Sequence, residues 1–82
     1  MIVLHIEYEN FESETEKPSK ECIVVEKLTK EFLDNYIMDN YFNYTYADVK
    51  GSVAIYRTLS KCAVVTAFKP KVIKGEIMSW IR

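Results

Sequence analysis

Residues 28–42 read LTKEFLDNYIMDNYF, and a change of period inside them decides the fold. Thr29 is a good helix N-cap, and Leu28 before it can pack on Leu33 as a hydrophobic staple. Glu31 in the first turn suits the helix dipole. From there Phe32, Leu33, Tyr36, Ile37 and Tyr41 recur at helical spacing on one face, with Asp34, Asn35 and Asp39 on the other. The spacing predicts a helix from Thr29 to about residue 42, ended by Asn43 and the β-prone Tyr44-Thr45-Tyr46.

On either side of this helix the period is two. Ile2, Leu4, Ile6 and Tyr8 alternate with His5, Glu7 and Glu9, the pattern of a half-buried strand. Residues 10–20, NFESETEKPSK, read as an exposed, acidic loop. CIVVEKL at 22–28 reads as the antiparallel partner of the first strand. Downstream, Val53, Ile55 and Leu59 alternate with Ala54, Tyr56 and Thr58, and KCAVVTAF at 61–68 is apolar on both faces, as a strand buried on both sides reads. A tight connection at Ser60-Lys61 would pair the two and place Phe68 on one inward face with Val53, although neither turn residue is Gly or Asn and a longer loop would also serve. Pro70 ends that run. The tail KVIKGEIMSWIR reads either as a short strand broken at Gly75 or as a helical turn carrying Ile77, Met78 and Ile81.

The order β-β-α-β-β with a short final element predicts a single α+β domain over residues 1–82. One antiparallel sheet of four to five strands would carry one amphipathic helix on one face. Composition agrees: 82 residues, 49% apolar and 28% charged, is a globular balance. No apolar run approaches the roughly 20 residues of a membrane helix. The start MIVLHIEYE has neither a basic flank nor a small-residue cleavage site, so it does not read as a signal peptide. Cytoplasmic residence is the expectation, with Cys22 and Cys62 as reduced core residues rather than a disulfide.

Net charge is −1, but it is divided. Residues 1–48 hold eleven acids against four lysines, a net of −7, and residues 49–82 hold seven bases against Glu76, a net of +6. Such a split points to charged partners or self-association, unless strands from the two halves interleave and neutralise each other.

Chemistry-bearing motifs are sparse. His5, Cys22 and Cys62 are the soft ligands, with no C-x-x-C or H-x3-H spacing, and His5 with Glu7 and Glu9 reads as a solvated strand face rather than a metal site. A hairpin folded about the middle of its loop would set Cys22 opposite Glu9 and His5 opposite Glu26. That separates a would-be Cys–His pair by ~13 Å. With glycine only at 51 and 75 there is no phosphate-cradling loop. The expectation is a non-enzyme without metal or cofactor.

Two binding functions compete. The favoured one is protein binding. Met38 and Phe42 form an i, i+4 pair on the polar side of the helix, beside Asp34 and Asp39, with Tyr44 and Tyr46 following. A Met–aromatic group there is a candidate contact patch, with the acidic hairpin tip beside it, unless the C-terminal tail folds over it. The alternative is nucleic acid. Lys50, Arg57, Lys61, Lys69, Lys71 and Lys74 interleave with Tyr56, Phe68 and Trp80, as in sheets that stack single strands. A sequence pI near 5.8 opposes it. With a tight turn, a second apolar surface is expected on the outer face of the last hairpin, at Ala54, Ala63, Val65 and Ala67, covered either by the C-terminal tail or by a second copy in a homodimer. In general style the chain resembles the small accessory proteins of phages and mobile elements, which implies inhibition of a host protein by covering its surface. No motif ties it to a family.

Overall fold

Thr29 caps the helix as the sequence requires. Its Oγ1 accepts the Phe32 N–H at 3.1 Å, and the helix, α1, runs Lys30–Asn40. The computed structural model describes residues 1–69. Around α1 stand five strands: β1 (Ile2–Asn10), β2 (Ser19–Val25), β3 (Tyr46–Lys50), β4 (Val53–Arg57) and β5 (Lys61–Phe68). They form one antiparallel sheet in the order β2-β1-β5-β4-β3. The predicted α+β class therefore holds. The expectations for the tail, and for Lys71, Lys74 and Trp80 within it, lie outside the described residues.

Alternation fixes which face meets the helix. Leu4, Ile6 and Tyr8 of β1 stand beside Ala67, Val65 and Ala63 of β5, and these beside Ala54 and Tyr56 of β4. Leu33, Ile37 and Phe42 close over them to make the core. This reverses the expectation for Ala54, Ala63, Val65 and Ala67, which belong to the covered face. The physical reason is room. Leu33, Ile37 and the fully buried Tyr56 ring fill the layer between helix and sheet, so the residues beneath must be small. Val53 and Phe68 do share a face, but it is the opposite one, uncovered among the described residues, where they are 36% and 49% exposed.

The segment after the helix departs from expectation twice. Tyr41 leaves the helical region (φ −125°, ψ −72°), and both its N–H and that of Phe42 donate to the Ile37 carbonyl, at 2.9 and 3.1 Å. Helix therefore ends at Asn40 rather than 42, and the chain swings Phe42 inward. Its ring lies 5.6 Å from that of Tyr8, and the side chain is buried, not exposed as the helical spacing suggested. Tyr46 then begins a strand that propensity alone did not separate from a connection. β3 pairs with β4 through Lys50↔Val53, across the two-residue turn Gly51-Ser52. Gly51 has φ +57° at the first central position, the requirement of a type II′ hairpin turn.

Both remaining hairpins differ in register from the sequence reading. The β4–β5 turn centres on Leu59-Ser60, with Thr58 N–H donating to the Lys61 carbonyl at 2.9 Å. That shift of one moves the pairing by two residues, so every side chain keeps its face. The β1–β2 loop is asymmetric. Asn10 Oδ1 accepts the Glu12 N–H and Ser13 Oγ the Glu16 N–H, turning the chain early, and Ser19 rejoins opposite Tyr8. His5 consequently lies directly opposite Cys22, which corrects the expected separation.

Candidate protein-contact surface

Most of the tyrosines that crowd the helix fasten it to the sheet. Tyr36 and Tyr41 hydroxyls both donate to Glu21 Oε1 of β2, at 2.8 and 2.7 Å. Tyr56 donates to Asp34 Oδ1 at 2.7 Å, and Lys30 Nζ reaches Asp34 Oδ2 at 2.7 Å. These bonds fasten one flank of the helix to β2 and the other to β4. Burial, and then the adjacent carboxylate, push the hydroxyls of Tyr41 and Tyr56 above the ordinary tyrosine range, so both remain donors. Tyr44 packs edge-on against Tyr56 at 4.8 Å.

The predicted helix patch is thereby dispersed. Asp34 is engaged by Lys30 and Tyr56, Phe42 is in the core, and Tyr44 is half-buried on Tyr56. Met38 and Asp39 remain exposed on the helix. Tyr46 is exposed, but on the other side of the sheet, where its ring lies 4.9 Å from the Arg57 guanidinium carbon.

That other side is the larger surface. Among the described residues, no helix or strand packs on it. The strand registers arrange its side chains in four ranks across the sheet. The first holds Val24, Val3 and Phe68. The second runs Cys22, His5, Thr66, Val53, Lys50, and the third Lys20, Glu7, Val64, Ile55, Asp48. The fourth holds Glu9, Cys62, Arg57 and Tyr46. Apolar side chains fill the first rank and recur at Val53, Val64 and Ile55; His5, Glu7 and Thr66 stand among them, and Lys20, Lys50, Asp48, Glu9 and Arg57 lie toward the margins. Val24 is 60% exposed, high for a strand valine. At the hairpin end the face deepens into a cleft of ≈ 400 Å³ lined by Glu7, Glu9, Phe11, Lys20, Cys62 and Val64. Both cysteines are free and stand on this face, Cys22 exposed and Cys62 half-buried.

The basic residues do not converge. Lys50 and Arg57 lie on the open face, two ranks apart; Lys61 lies at the hairpin end of the sheet, opposite Asn10, and Lys69 just beyond the other end of β5. Tyr56, a proposed stacking residue, is fully buried and so unable to stack a base. On the open face three acids (Glu7, Glu9, Asp48) accompany three bases (Lys20, Lys50, Arg57), which leaves no net attraction for phosphate.

His5 and Cys22 are neighbours on this face, yet neither lines the cleft, and Lys20 beside them is paired to Glu7 at 3.8 Å. No group of three potential metal ligands comes together among the described residues. No helix among them is long and apolar enough to cross a membrane. Sequence reasoning placed His5, Glu7 and Glu9 of β1 on the solvated side, as found, but assigned the two sides of the β4–β5 hairpin the wrong way round. The small residues Ala54 and Ala63 were the available signal, since closely packed layers need them. No family model, no characterised protein and no solved structure matches this chain.

Proposed function

We propose that this chain works by binding protein, through the open face of its sheet rather than through its helix. The observation that carries this reading is the rank pattern itself: Val3, Val24, Val53, Ile55, Val64 and Phe68 lie side by side and uncovered by any described element. Exposed apolar surface, here interrupted by His5, Thr66 and Glu7, supports a contact role, and the Tyr46–Arg57 pair at its edge is of the residue types that dominate contact energies. In this mode the chain acts by covering a surface, without chemistry of its own.

The test is to replace Val64 by Asp, and separately Ile55 by Asp, and compare each with the wild type for association and for thermal stability. Lost association at a melting temperature close to wild type supports the reading. Undiminished association by both folded variants refutes it. The register of β1 on β2 favours one second reading, a reactive thiol at Cys22 with His5 beside it. It predicts that His5→Gln slows alkylation of Cys22 well below the wild-type rate, and an unchanged rate removes it.

A further inference from the structure

We infer that the partner of the open face is a second copy of this chain, packed sheet on sheet about a two-fold axis lying along β5. This inference rests on the open-face reading above and names its occupant.

The charges on the face make the case. Take β5, the middle strand, as the line of reflection. On the fourth rank Glu9 stands one strand to one side and Arg57 one strand to the other. On the third rank Lys20 stands two strands to one side and Asp48 two strands to the other. A two-fold axis in the plane of the face and parallel to β5 brings each position over its mirror position in the partner. Glu9 then faces Arg57, and Lys20 faces Asp48, in both halves of the pair. Along the axis β5 offers only uncharged side chains, Cys62, Val64, Thr66 and Phe68, each meeting its own counterpart. An axis perpendicular to β5 within the same plane would carry rank onto rank end for end; set between the second and third ranks it places Lys50 over Asp48, but it leaves Glu9, Arg57 and Lys20 without an opposite charge. Two pairs have no electrostatic complement: Glu7 meets Ile55, and Lys50 meets Cys22. Glu7 is already paired to Lys20 within its own chain.

Size is consistent with a real but modest association. Five strands ~4.8 Å apart and four ranks ~6.7 Å apart cover roughly 500–650 Å² per copy. A pair then buries roughly 1,000–1,300 Å², at the lower edge of specific interfaces. Facing sheets pack ~10 Å apart with their strands within about 30° of alignment, so the ranks superpose best near the axis.

Sedimentation of the full chain over a hundredfold range of concentration should show a monomer–dimer equilibrium. Val64→Asp should hold it at monomer throughout. Arg57→Glu and Glu9→Arg should each weaken the dimer several-fold, and the two together should restore it. Because Cys62 lies on the axis strand and Cys22 two strands off it, a short bismaleimide should cross-link Cys22→Ala into dimers and leave Cys62→Ala uncrosslinked. A direct disulfide is not expected, since it needs Cα atoms within ~7 Å. A wild type that stays monomeric at every concentration overturns the second copy as occupant, including the case in which residues 70–82 of the same chain cover the face. If Val64→Asp then still abolishes binding to another protein, the open-face reading survives alone. Failure of the double charge swap to restore the dimer, or cross-linking through Cys22, overturns the proposed axis.

Discussion

Removing one oxygen from Tyr56 tests how the helix is held to the sheet. The ring is fully buried, and its hydroxyl donates to Asp34 at 2.7 Å. A hydrogen bond to a charged acceptor contributes ~1.5–3 kcal/mol. Asp34 is 24% exposed and keeps Lys30 as a partner, so water and Lys30 offset part of the loss in Tyr56→Phe. The cost should be about 1–2 kcal/mol, or roughly 4–15 °C in melting temperature for a chain of this size. Tyr56→Ala also empties the centre of the core and should cost about 3–5 kcal/mol. With a total stability of roughly 4–12 kcal/mol, the phenylalanine variant remains folded and the alanine variant is marginal. The loss should also depend on pH. Burial alone would raise the Asp34 carboxyl, but the hydrogen bonds from Lys30 and Tyr56 and the Lys30 charge outweigh it and hold the pKa below the ordinary value. A carboxyl depressed in the folded state contributes its full stability above its unfolded pKa, about 3.9, and loses it as pH falls through the folded value. Urea unfolding of wild type and Tyr56→Phe from neutral pH downward should therefore show a constant difference to about pH 4 and a shrinking one below. A difference that grows on acidification, or a Tyr56→Phe variant as stable as wild type at pH 7, refutes the fastening role.

Substitutions at three further positions probe the departures from simple periodicity. Gly51→Ala should cost about 1–2 kcal/mol by urea unfolding, purely from the positive φ, because a Cβ there meets nothing within 4 Å; Gly51→Asn should cost less. Phe42→Ala should cost about 3–5 kcal/mol. Met38→Ser, four residues earlier and exposed, should stay within about 0.5 kcal/mol in thermal melts. Equal costs at the two positions would mean that the turn at Tyr41 is misplaced.

What the sequence made legible was whatever local chemistry dictates. The cap at Thr29, the alternation of Ile2 to Tyr8 and the strand at 61–68 each follow from neighbouring residues, and each is an element of the structure, although that last strand is buried on one face and not on both as its apolar run suggested. The misses share another cause. Phe42 obeys helical spacing only if the helix continues, and whether it does is decided by the shared Ile37 carbonyl and by the Tyr8 ring waiting across the core. His5 meets Cys22 because Asn10 and Ser13 turn the chain early within a long loop, and loop length alone does not fix register. β3 forms because β4 offers it an edge and Gly51 permits the turn, not because YADVK is strongly strand-prone.

The reversal of the two sheet faces has the most consequence for function, and it follows from counting volume on one layer only. Judged within the β4–β5 hairpin, Val53, Ile55 and Phe68 are the bulky side and ought to point inward. The core, however, is filled from both layers. Leu33, Ile37 and Phe42 descend from α1 and the turn after it, and Tyr8 and Tyr56 stand up from the sheet. Alanine at 54 and 63 is then what remains compatible with a helix seated overhead. Bulky apolar residues are consequently left on the side that has no helix among the described residues, so side-chain size alone does not mark the core. On that side Glu9 and Arg57 flank β5 on one rank, and Lys20 and Asp48 on another. Opposite signs flank β5 at these two ranks, as the proposed pairing with a second copy requires, whereas Glu7 and Lys50 have no opposite-sign counterpart.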